Sequence, residues 1–224
     1  MMTFTEFESF LKASFPDVTS EMIERFRLMD SGYREWNAKI NVISRKDIDG
    51  LYDHHVLHSL AIAEYLRTQR PETYSLLNTP SSGLKVLDLG TGGGFPGIPL
   101  AVMFPGTRFT LCDSVGKKTI VAKEIANMLC LDNVEIVNAR AESLNERFDF
   151  VVSRAVASLT DFYPWVKGKY TRSILYLKGG DINEEICDLM ARERLRRGST
   201  ATWPINTWLT DTYFEGKFVI DIHR

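Results

Sequence analysis

Through the first third of the chain, apolar residues recur at three- and four-residue steps, the period of helices with one buried face. Phe7, Phe10 and Leu11 predict a helix over residues 3–14 that opens at Thr3 or Thr5. Ile23, Phe26, Leu28, Tyr33 and Trp36 predict a second over 19–39, opening at Thr19 or Ser20. Leu51, His55, Leu60, Ala61 and Leu66 predict a third from Asp49 to about Arg67. The period breaks in RPETYSLLNTPSSGLK, where Pro71, Pro80, Ser81, Ser82 and Gly83 predict a connecting loop.

Beyond that break, short apolar runs alternate with helical patterns. Strands are expected at 85–89, 108–113, 134–138, 150–153 and 174–177, and helices at 98–104, 117–129 and 159–166. Such βαβ units imply a parallel sheet covered on both faces, because parallel neighbours need crossover connections that place helices over the sheet. Residues 184–197 read as a charged helix, and YFEGKFVIDIHR alternates around Glu215-Gly216 as a hairpin that adds antiparallel strands at the sheet edge. The expected organisation is an N-terminal helical extension, 1–80, followed by an α/β domain, 81–224.

Composition narrows the class. With 44% hydrophobic and 25% charged residues, the chain has enough apolar material for a sizeable core, so disorder is not the default reading. A formal charge of −2 gives no global attraction to a polyanion, so a nucleic-acid partner must be met by a local basic patch. Cys112, Cys130 and Cys187 are widely spaced, indicating neither a disulfide framework nor a zinc site and fitting a reducing compartment. The N-terminus carries acids where a signal peptide carries basic residues, and no run reaches the length of a membrane span. The expectation is a cytoplasmic protein that is monomeric, off the membrane and without metal. His54, His55 and His58 are close in sequence but lack the supporting ligands of a metal site.

The densest chemistry lies in VLDLGTGGGFPGIPL, residues 86–100. Gly90, Gly92 and Gly94 fall between a strand and a helix, where missing side chains let a ligand lie against the backbone. The spacing is neither that of the dinucleotide fingerprint nor that of a P-loop, so phosphate is not the indicated ligand. The next strand ends in Asp113, placed to accept ribose hydroxyls, and NARAES offers Ala141 and Glu142 at the same edge. A ribose, no phosphate and a cationic end describe S-adenosylmethionine. Phe95 either covers that ligand or packs beneath the helix start. Arg154, with Lys117, Lys118 and Arg140, makes a positive rim; its planar donors suit a base oxygen, a phosphate or the cofactor carboxylate. Lys167, Lys169 and Arg172 read as a solvated face. Arg34, Lys39, Arg45 and Lys46 lie near Trp36 and Ile40, which are expected to pack the helical lobe onto the sheet.

The stretches WNAKINVIS, HHVLHSL, VLDLGTGGGFPGIPLA, CDSVGKK, VNARAE and FDFVVSRAVASL, in that order, resemble the bacterial small-subunit ribosomal RNA guanine-N7 methyltransferases, also called glucose-inhibited division protein B. The resemblance runs from about Trp36 to Trp165 and is loose beyond. It implies a class I S-adenosylmethionine-dependent methyltransferase fold, Rossmann-like, with a seven-stranded, mainly parallel sheet and an N-terminal helical extension. It further implies methyl transfer to N7 of a guanine in 16S ribosomal RNA, free or in the small-subunit particle. Gly90, Phe95, Ala141, Glu142 and Arg154 match the family's cofactor-holding positions, Asp113 its strand-end acid, and Lys117, Arg140 and Arg154 its basic positions. His58 stands where the family commonly has an acid. The alternatives are a methyltransferase for another RNA or a protein, and a non-catalytic Rossmann-like module that binds a nucleotide such as NAD.

Overall fold

The computed structural model describes residues 1–80 and 82–223; Ser81, in the expected loop, and Arg224 lie outside the described residues. The N-terminal helices are α1 (Phe4–Ser14), α2 (Ser20–Lys39), α3 (His58–Gln69) and α4 (Pro71–Asn78). Thr3 caps α1 reciprocally with Glu6, and Thr19 caps α2, satisfying N–H groups that the first turn leaves free. The α/β part follows as β1 (Lys85–Leu89), α5 (Gly97–Met103), β2 (Arg108–Asp113), α6 (Gly116–Met128), β3 (Val134–Asn138), β4 (Phe148–Arg154), α7 (Leu159–Val166), β5 (Tyr170–Gly179), α8 (Ile182–Glu193), β6 (Thr200–Pro204) and β7 (Lys217–His223).

Three expectations need correction. Residues 71–78 form α4 rather than a loop: Pro71 occupies the first helical turn, where its missing N–H costs nothing, and Tyr74 and Leu77 are buried beneath it. The third expected helix is not uniformly α. Residues Ile48–Gly50 make a tight turn and Leu51–Leu57 a wider π-type helix before α3 begins. At the C-terminus, Glu215-Gly216 is not a hairpin turn, because Thr212–Phe214 is a 3-10 turn; the strand beside β7 at the sheet edge is β6, which TATWP gives too few residues to announce.

The sheet order is β3-β2-β1-β4-β5-β7-β6. The first five strands are parallel neighbours, while β7 runs antiparallel between β5 and β6. Alternate residues face opposite layers. Val86, Phe109, Leu111, Phe150, Val152, Leu175 and Leu177 join the helices α1 to α6 in one core, while Leu87, Cys112, Val151, Ile174 and Tyr176 meet α7 and α8 on the other side. The N-terminal helices therefore share a core with the sheet, reinforced where Arg70 and Tyr65 both bond the fully buried Asp221 of β7 (2.6 and 3.0 Å). Because chain order reverses between β1 and β4, the carboxyl ends of β1, β2, β3 and β4 open a crevice at the switch point. Among the described residues no helix is long and apolar enough to cross a membrane.

Candidate functional site

The chain turns sharply at the end of β1. Gly90 takes a φ of +73°, and its N–H and that of Thr91 both donate to the Cys112 carbonyl, pinning the loop to β2. A Cβ on Gly90 would lie 2.4 Å from Cγ2 of Val156, so the bare residue lets the segment after β4 close over the loop. Asp88 holds the loop from below: its Oδ2 accepts the Thr91 hydroxyl at 2.6 Å and the Gly97 N–H at 2.8 Å. This carboxyl is fully buried, and Oδ1 has no partner among the described residues. Burial drives its pKa up to about 7 against the downward pull of the Thr91 and Gly97 hydrogen bonds.

A cleft of about 490 Å³ lies at this edge and gathers Gly90, Asp113, Arg140, Ala141, Glu142 and Arg154 from the sequence-predicted set. Asp113 is held by two backbone N–H groups, Gly92 on Oδ2 at 2.9 Å and Val115 on Oδ1 at 2.8 Å. Ala141 is buried on its own 3-10 turn, which leaves Glu142 exposed beside it. Gly92, Gly94 and Phe95 do not line the cleft. Gly92 contributes its N–H to Asp113, whereas Gly94 leaves room for Ile98 and the Tyr33 hydroxyl. Phe95 is buried and stacked on Tyr33 with ring centroids 4.8 Å apart, the core placement rather than a cover. Lys117 is exposed outside the cleft, and its neighbour Lys118 lines it.

Of the lysine pair expected at the rim, Lys118 lines the cleft, while sequence reasoning missed Ser114, Val156 and Trp165 as lining residues. GKK supplies two adjacent lysines about 100° apart on a helix, and only the starting point of α6 decides which faces inward. It also missed the contacts of the π-type segment. Arg154 lies half-buried with its guanidinium carbon 5.1 Å from the Phe95 ring centroid, 3.2 Å from His55 Nδ1 through one terminal nitrogen and 3.5 Å from the His54 carbonyl through the other. Among the described residues no carboxylate lies within 4 Å of it. Asn37 holds the following loop by accepting the Val42 and Ile43 N–H groups, and Val42 rests on Gly93 of the glycine loop.

His58, at the position where the family commonly has an acid, is buried against Tyr213 and Phe214, and neither ring nitrogen reaches a partner at hydrogen-bonding geometry. Burial first, then the charges of Arg154 and Lys217, hold its pKa well below 6.5, against a weak upward pull from the His54 carbonyl. A base kept neutral in the fold stabilises it fully above its unfolded pKa and progressively less below. The stability gap between His58→Leu and wild type is therefore expected to widen in favour of leucine as pH falls from about 6 to about 4.5. Urea unfolding across that range checks this, and a constant gap contradicts it. No group of three or more His, Cys, Asp or Glu residues arranged to hold a metal ion occurs among the described residues.

Comparison with known proteins places this architecture. The fold matches magnesium protoporphyrin IX methyltransferase from Synechocystis PCC 6803, solved with bound SAM, at TM-score 0.60 and 16% identity over 92% of this chain and 98% of that one. It likewise matches an O-methyltransferase from Bacillus cereus in complex with SAH, at TM-score 0.59 and 14% identity over 96% of each. The fold is thus that of S-adenosylmethionine-dependent methyltransferases. In sequence, the ribosomal RNA small subunit methyltransferase G of Christiangramia forsetii is 47% identical over 94% of both chains. That of Flavobacterium psychrophilum is 44% identical over 93% of this chain and 94% of its own. Residues 23–204 match the family model GidB, rRNA small subunit methyltransferase G, and the chain belongs to that family.

Proposed function

We propose that the protein transfers the methyl group of S-adenosylmethionine to N7 of a guanine in 16S ribosomal RNA. The observation that carries this reading is the near end-to-end likeness to relatives named for ribosomal RNA small-subunit methylation, coupled to a cleft at the switch point of the sheet. The cofactor suits the residues present. Gly90 offers bare backbone to a nucleoside, and Asp113, with one N–H on each oxygen, keeps acceptor capacity for ribose hydroxyls. Ala141 and Glu142 border the same space. Arg154 brings guanidinium donors that no carboxylate of the described residues engages.

When bound, the cofactor supplies an activated methyl group on a sulfonium. Guanine N7 carries a free lone pair at neutral pH, so no general base is required; the residues' work is alignment and exclusion of water. Methylation moves positive charge from sulfur onto the guanine ring. A guanidinium held against that ring would oppose the transfer, and Arg154 accordingly serves the cofactor's carboxylate better than guanine O6. Arg140 and Lys118, at the cleft rim, are placed for RNA phosphates, as is Lys117 outside it.

The test is transfer of tritiated methyl groups to small ribosomal subunits, free 16S RNA, tRNA and ribosomal proteins. Label in 16S RNA, with chain cleavage at one guanine after borohydride reduction and aniline treatment, is the expected result. Label confined to tRNA or protein would overturn it.

A further inference from the structure

Arg154 ends β4 and extends toward the helical lobe, where its surroundings are unusual for a cation. Phe95 lies beneath it, and the partners its terminal nitrogens reach are the His55 ring and the His54 carbonyl, both neutral acceptors. A guanidinium is only a donor, so the contact at 3.2 Å requires a bare lone pair on His55 Nδ1. The opposite nitrogen settles how the ring is protonated. His55 Nε2 is 2.7 Å from Asp47 Oδ2, and a carboxylate accepts; the proton sits on Nε2 and leaves Nδ1 bare.

Asp47 is fixed in turn. Its Oδ1 lies 2.6 Å from His54 Nδ1, so two successive histidines of the π-type segment grip one carboxylate. Gly50 makes this possible, because a Cβ there would lie 2.7 Å from His54 Nδ1 and 3.1 Å from Asp47 Oδ1. The His54 ring is also stacked on Tyr213 at 3.7 Å, closing the cluster from the C-terminal side. Burial pushes the Asp47 carboxyl up, yet the two histidine hydrogen bonds outweigh it and leave it below the ordinary value. Burial and the Arg154 charge hold His55 down, to about 4, so that it stays neutral near pH 7.

We propose that Asp47 and His55 are positioning residues for the cofactor: Asp47 sets the His55 tautomer, and His55 holds the Arg154 guanidinium where its remaining donors meet the cofactor's carboxylate. This rests on the assignment of Arg154 to that carboxylate. Ordering the side chain before binding removes an entropic cost that an untethered arginine pays at each encounter. It also explains why a half-buried cation sits beside neutral acceptors, since a carboxylate partner within the protein would compete with the ligand.

Two ligands and four variants test this. S-adenosylhomocysteine carries the carboxylate, and 5′-methylthioadenosine lacks it. His55→Gln keeps a donor to Asp47 near the Nε2 position but places no acceptor at that of Nδ1. His55→Asn presents an amide oxygen near Nδ1. Asp47→Asn admits the opposite tautomer, which points an N–H at Arg154. In calorimetric titrations, Arg154→Ala, His55→Gln and Asp47→Asn are expected to weaken S-adenosylhomocysteine about 10-fold or more while leaving methylthioadenosine within about 2-fold. His55→Asn is expected to bind S-adenosylhomocysteine within about 3-fold of wild type. Wild-type affinity in both His55→Gln and Asp47→Asn, with Arg154→Ala impaired, would overturn the relay and leave the reading of Arg154 standing. Wild-type affinity in Arg154→Ala would overturn that reading itself. Equal loss of both ligands in His55→Gln and Asp47→Asn would show a structural role and also defeat the proposal.

Discussion

Gly90→Val is expected to weaken S-adenosylmethionine binding at least 100-fold, about 3 kcal/mol, in a protein that still folds. Two effects act together. A β-branched residue at a φ of +73° stores about 1–3 kcal/mol of backbone strain. Its Cβ also meets Val156 at 2.4 Å, so the loop and the segment after β4 are forced apart where the nucleoside must lie. Gly92 provides the comparison. It too has positive φ, +57°, but a Cβ there meets nothing within 4 Å and the residue does not line the cleft. Gly92→Ala should therefore cost stability of about 1 kcal/mol through strain and little binding. Equilibrium binding, with thermal unfolding as the control for folding, checks the pair. Equal binding losses at both positions would show that the loop acts through its conformation alone and that Gly90 is no contact surface.

Arg154→Ala is expected to lower kcat/KM for methyl transfer about 10²- to 10³-fold, roughly 3–4 kcal/mol, because a charged hydrogen-bonded pair is lost and a buried acceptor is left on His55. The loss should fall mainly on KM for the cofactor. The reaction needs no proton removed from N7, so alignment recovers at saturating cofactor. Steady-state kinetics at varied S-adenosylmethionine and fixed small-subunit concentration separates the two constants. A kcat that falls 100-fold with KM unchanged would instead place the guanidinium at the reacting guanine.

What the sequence revealed followed from periodicity. The central strands β1, β4 and β5 are buried on two faces, and their apolar runs stood out without knowledge of the sheet. The glycine loop and the strand-end Asp113 were legible for the same reason, being fixed by local chain geometry. Contacts spanning great sequence distance were not. Arg154 meets His55 across 99 positions, and nothing in HHVLHSL distinguishes the histidine that faces the site from His58, which is buried against aromatic rings. α4 was hidden by prolines at both ends, one of which starts the helix instead of breaking it. Phe95 was undecided because its stacking partner, Tyr33, belongs to a helix 62 residues earlier.

The common interior of the first four helices and the sheet has a bearing on how the protein is made and lost. Phe109, Phe150 and Leu175 share that side with α1 to α4, helices synthesised before them. A ribosome-bound chain must keep those helices waiting until the last strand, β7, emerges to receive Arg70 and Tyr65 on Asp221. By the same token, proteolytic clipping between α4 and β1 would not release a working catalytic half. It would bare a greasy sheet face and turn the remainder into a substrate for chaperones or an aggregate.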